Sequence, residues 1–172
     1  STVRQIGKST ESTPIVQTES REKYADHTYG FTVKYYRKDY ALLTDAGLQT
    51  TTPPAVQRVR LQRKDIAAGQ FSDREPPGLT INVFELSPGR SLHEWLDSSG
   101  LLPPGSEISL VRLTGVKEGL RVILRQQPAP NEFVYLATDQ YVYGLVPFGA
   151  NGGKMLRSFR LLPDSSRAHM RH

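Results

Sequence analysis

Apolar and polar positions start to alternate at Gly30, after a long polar opening, and alternation then organises the chain to about residue 163. In "GFTVKYY", Phe31, Val33 and Tyr35 oppose Thr32, Lys34 and Tyr36, the period of two that marks a half-buried strand. "AVQRVRLQR" sets Ala55, Val59 and Leu61 against Val56, Arg58, Arg60 and Gln62. "LTINVFEL" is apolar enough, at Leu79, Ile81, Val83, Phe84 and Leu86, to predict a central strand. "EISLVRLTG" and "GLRVILRQQ" predict two more strands, the second with Leu120, Val122 and Leu124 opposite Arg121 and Arg125. "EFVYLATDQYVYGLVPFG" predicts a pair of strands around a turn at Asp139 and Gln140.

One segment has a helical pattern. In "SPGRSLHEWLDSSG", Ser91 and Glu94 have the spacing of a capping box, in which each side chain accepts a hydrogen bond from the other's backbone N–H. Leu92, Trp95 and Leu96 share a face, and Gly100 ends the helix. "ANGGKMLRSFRLLP" predicts a short helix and a last extended piece, with a loop as the alternative because Gly152 and Gly153 weaken a helix. "TTTPP" at 50–54, the loop 64–77 and "PPG" at 103–105 punctuate the chain. The pattern predicts an α+β fold: an antiparallel β-sheet of about six or seven strands covered by helices, in a single domain over 27–163.

Residues 1–26 are rich in Ser, Thr, Glu and Gln, which predicts a flexible polar arm or tether. Within it, "TPIVQT" offers Thr13, Pro14, Ile15 and Val16 as an assembly segment able to add as an edge strand to a neighbouring chain. Residues 164–172 read as a disordered tail. The start at Ser1 rather than Met suggests a processed or trimmed N-terminus.

Composition narrows the classes. With 37% hydrophobic and 23% charged residues in 172, the chain has apolar material for one core. It contains no cysteine, which removes disulfides, thiolate metal sites and cysteine nucleophiles. The net charge of +5 permits contact with nucleic acid, anionic lipid or an acidic protein face.

Candidate chemistry is sparse. His93 and Asp97 are spaced for one helix face, but no third ligand is evident for a metal. "GANGGK" at 149–154 departs from a phosphate-binding loop, because Phe148 and Met155 occupy the positions that need Gly and Ser or Thr. No catalytic residue and no cofactor or metal site is expected. Arg58, Arg60, Arg112, Arg121 and Arg125 carry more signal: each falls on a predicted strand opposite an apolar face. If those strands are neighbours, the outer face of the sheet is a basic docking patch. The bland alternative is a solvated face of cross-strand ion pairs.

The order of elements resembles the PsbP-like family, the photosystem II extrinsic protein-like and secreted lipoprotein-type domains. The likeness is carried by Gly30, Phe31, Val33 and Tyr35, by Ser91, Leu92, Glu94 and Trp95, and by Ser158, Phe159 and Leu161. Two positions depart from it: Tyr36 stands where the family has Pro, and Asp39-Tyr40 where it has Asp-Trp. The resemblance implies an α-β-α sandwich and a non-enzymatic binding or assembly module. It implies an extracytoplasmic setting (periplasm, cell surface or thylakoid lumen), with a membrane tether in the full-length chain. The expected partner is a protein, another copy, or a membrane-associated complex. A basic-face binder of nucleic acid or anionic surfaces is the alternative, and a hydrolase built from scattered residues comes third.

Overall fold

The computed structural model describes residues 21–68 and 75–163. Thr13–Val16 and the 164–172 tail lie outside the described residues. The fold is α+β, with a seven-stranded antiparallel sheet, a three-stranded sheet and three helices.

The large sheet runs in the order β3 (Tyr40–Leu48), β4 (Ala55–Arg63), β5 (Leu79–Glu85), β9 (Tyr141–Pro147), β8 (Glu132–Ala137), β7 (Glu118–Ile123), β6 (Glu107–Leu110). The most apolar segment, β5, lies inside the sheet between β4 and β9, as its composition requires. The small sheet has β2 (Phe31–Tyr35) between β1 (Glu22–Asp26) and β10 (Arg160–Leu161). A short helix, α1 (Lys64–Ala67), follows β4, and α2 (Leu92–Ser98) and α3 (Gly149–Arg157) follow β5 and β9.

The two faces of the large sheet support separate clusters. On one, Val59, Leu61, Leu79, Ile81, Val83, Val134, Leu136 and Leu145 meet Phe31, Val33, Met155 and Phe159 from the small sheet and α3. Phe31 is fully buried, stacked on Phe159 at 5.4 Å and edge-on to Tyr143 at 5.9 Å. On the other, Phe84, Leu120, Val122, Tyr135 and Val142 pack against Leu92, Trp95 and Leu96 of α2. The capping box of α2 forms as its spacing predicts: Ser91 Oγ accepts from Glu94 N, and Glu94 accepts from Ser91 N.

Glu22–Asp26, assigned to the polar arm by composition, is a strand antiparallel to β2. Its inward positions are Tyr24 and Asp26, and an inward carboxylate looks like solvent-facing sequence. Asp26 is buried because Tyr29 N donates to it at 2.8 Å, the Tyr24 hydroxyl at 3.2 Å, and Gln57 through its amide. β3 was also not evident, since "YALLTDAGL" does not alternate cleanly. The strand predicted over "EISLVRLTG" is confined to Glu107–Leu110.

Candidate functional site: a basic cleft on the small sheet

The five arginines do not form one patch. Paired positions lie on the same face, so register fixes each face. Arg121 pairs with Val134, Val134 with Leu145, Leu145 with Ile81, and Ile81 with Val59. Arg121 therefore shares a face with Val59, whereas Arg58 and Arg60 flank Val59 and point the other way. Most are also engaged. Arg60 meets Asp45 at 3.0 Å, Arg121 meets Glu132 at 2.7 Å, and Arg125 meets Glu107 at 2.6 Å. Arg58 donates to the Asn82 side chain at 2.8 Å. Arg112 is exposed just beyond the end of β6 and has no ion pair among the described residues. The sequence expectation of one arginine face is corrected: four of the five are cross-strand or near-strand partners on two different faces.

Positive charge without an ion pair among the described residues collects elsewhere, on the outer face of the small sheet. Lys23 pairs with Lys34, and Thr32 with both Ala25 and Arg160, so Lys23, Lys34 and Arg160 point outward together. Beside them, α3 presents Lys154 and Arg157, and Arg21 approaches from the start of β1. These six cations line a cleft of about 780 Å³ that also includes Thr32, Tyr36, Ser158, Leu161 and Leu162, with no carboxylate among its lining residues.

Local geometry makes the cleft. Gly149 opens α3 with φ +81°, a conformation in which a side chain is strained. Gly152 faces inward, where an added Cβ would lie 2.4 Å from the Gly78 carbonyl oxygen and 3.3 Å from Pro147. The glycines that weaken a helix in isolation therefore let α3 rest against the ends of β5 and β9. Buried Met155 anchors this face, leaving Lys154 and Arg157 exposed. At the far end, Ser158 Oγ accepts from Lys34 N at 2.8 Å and lies 3.2 Å from the Lys34 carbonyl oxygen. This pair of contacts holds the α3 terminus on β2.

Two cations are oriented by backbone oxygens. Arg160 donates to the carbonyls of Arg157 at 2.8 Å and Phe159 at 2.7 Å. Arg21 donates to the Lys154 carbonyl at 3.5 Å and lies 5.8 Å over the Tyr36 ring. The carbonyl-rich C-terminal end of α3 thus offsets part of the repulsion among like charges. Lys23, Lys34, Lys154 and Arg157 have no ion pair among the described residues, so their charge faces solvent.

The sequence did not reveal this site because its six cations come from four places in the chain. Each is an ordinary solvent-facing position in its own segment.

The remaining candidates stay apart. His93 and Asp97 are both exposed on α2. A cavity of about 700 Å³ includes His93, Arg112 and Glu118 but not Asp97. The Glu118 carboxylate there accepts from Leu92 N at 2.8 Å. "GANGGK" is the first part of α3. Among the described residues, no three His, Asp or Glu side chains are grouped to hold a metal, and no helix is long and apolar enough to cross a membrane. No family model, curated protein or solved structure matches the chain.

Proposed function

We propose that the protein is a non-catalytic binding and assembly module that docks on the acidic surface of a protein partner through the cleft between the small sheet and α3. One observation carries this reading: six cations converge on a concave surface whose lining, among the described residues, includes no carboxylate. Gathering like charges opposes folding, and an acidic partner offsets that cost on binding. Leu161 and Leu162 in the lining add apolar contact of the kind found in a protein interface. The extracytoplasmic, membrane-surface setting rests on the PsbP-like resemblance alone. Nucleic acid offers matching charge, but a single-strand binder uses free aromatic faces for stacking. The one aromatic ring in the cleft lining among the described residues, Tyr36, has Arg21 over it.

The test is a binding titration with a fluorescent poly-glutamate peptide and, in parallel, a single-stranded oligonucleotide of equal charge. In Lys34→Glu/Lys154→Glu, poly-glutamate affinity should fall by about tenfold or more. Arg121→Glu should leave it within about twofold, because Arg121 already pairs with Glu132 on the large sheet. Equal loss in both variants, or a clear preference for the oligonucleotide, contradicts the reading.

A further inference from the structure

We propose that β6 is a self-association edge, at which two copies of this chain join by antiparallel pairing about a twofold axis at Ser109. A sheet edge is a template for another strand, and folded proteins usually blunt it with charge, bends or brevity. β3, at the opposite edge of the large sheet, carries Asp45 and a left-handed Gly47 at φ +60°. In the small sheet, β1 carries Glu22, Lys23 and Asp26, and β10 is two residues long. β6 is itself short, at four residues, but its sequence is Glu-Ile-Ser-Leu, and its one charge, Glu107, is held by Arg125 at 2.6 Å. It also displays Ile108 at 42% and Leu110 at 73% exposure, the large apolar side chains left exposed among the described residues.

The hydrogen-bonding phase of the strand fits this pairing. Val111 N donates to the Gly119 carbonyl at 3.0 Å. Antiparallel alternation then turns the backbone groups of Ser109 and Glu107 towards β7, and those of Ile108 and Leu110 towards the open edge. A twofold axis at Ser109 places Ile108 opposite Leu110 of the second copy, and Leu110 opposite its Ile108. The outward N–H and C=O groups meet, and the apolar side chains meet on one face. That face is continuous with Leu120 and Val122, opposite Leu110 and Ile108 in β7.

Charge does not oppose the register. Glu107 falls opposite Val111 of the second copy and away from its own twin, so no two carboxylates meet, and Arg112 lies beside Leu110 on the other face. Ser109 meets Ser109 as a non-hydrogen-bonded pair, at a Cα separation of ~4.5 Å. That lies within the ~4.4–6.8 Å range of disulfides.

The chain has no cysteine, so one substitution supplies the only thiol. The experiment uses the full chain. Under mild oxidation, Ser109→Cys should form a covalent dimer about tenfold faster than Thr114→Cys, an exposed loop control. By sedimentation equilibrium up to about 100 µM, the unmodified chain should show a monomer–dimer equilibrium, and Leu110→Lys should weaken it by about tenfold or more. Leu110 is mostly exposed, so an unchanged circular dichroism melt should show that this variant folds. The proposal is overturned by a chain monomeric at that concentration or by association that Leu110→Lys leaves intact. Ser109→Cys cross-linking no faster than the control also overturns it, as does a dimer that depends on residues 1–20 while Ser109 stays unlinked.

Discussion

The arginines show at the level of single residues what alternation reveals and what it hides. In β4 the arginines oppose Val59 and Leu61, and in β7 Arg121 opposes Leu120 and Val122. Both strands obey one rule, but the first apolar set faces the small sheet and the second faces α2. A sheet buried on both faces has two inward directions, and period-two patterning within a strand does not say which one applies. Phe31, by contrast, was legible as core because its alternation marks a strand with one buried face. The hydroxyl of Tyr135 gives a residue-scale prediction. Burial pushes its pKa up to about 12. A raised native pKa contributes stability that is fully present below the unfolded value near 10 and is lost as pH rises towards 12. Between pH 9 and pH 11 the parent protein should lose about 1 kcal/mol more stability than Tyr135→Phe, measured by urea unfolding. Equal losses would contradict a raised Tyr135 pKa.

Among elements, those with strong local signals were legible. The capping box located α2, and the apolar run of β5 marked a central strand. β1 was hidden because its inward aspartate is satisfied by Gln57, more than thirty positions away in sequence. The small sheet was hidden for the same reason, since β2 pairs with β10 across most of the chain. Non-local pairing leaves no local trace. The link that positions the cleft belongs to this scale too. Ser158→Ala removes the acceptor for Lys34 N and the hydroxyl beside its carbonyl. It should cost about 1–2 kcal/mol in denaturant unfolding. It should also raise amide exchange of Lys34 and the last turn of α3 well above that of β5. Unchanged exchange there would show that Met155 packing alone holds the helix.

Across the whole molecule, the fold divides its labour between two sheets. The large sheet supplies the cores on both faces and engages most of its arginines in pairs. The small sheet and α3 cover one face and turn their remaining charge outward. Basic composition was visible in the sequence, but its location was not, because charge is additive along a chain while a patch depends on three-dimensional neighbours. The salt dependence of docking follows from the same arrangement: exposed cations, without an ion pair among the described residues, lose attraction steeply as the screening length falls below ~10 Å. The most direct measurement is amide and side-chain NMR of the labelled full chain, titrated with poly-glutamate at low salt and again with added salt. The account predicts shifts confined to Lys23, Lys34, Arg160 and the exposed side of α3, fading as salt is added. Shifts centred on Arg58 and Arg60, on Arg121 and Arg125, or spread evenly over the surface would contradict a docking site in the cleft.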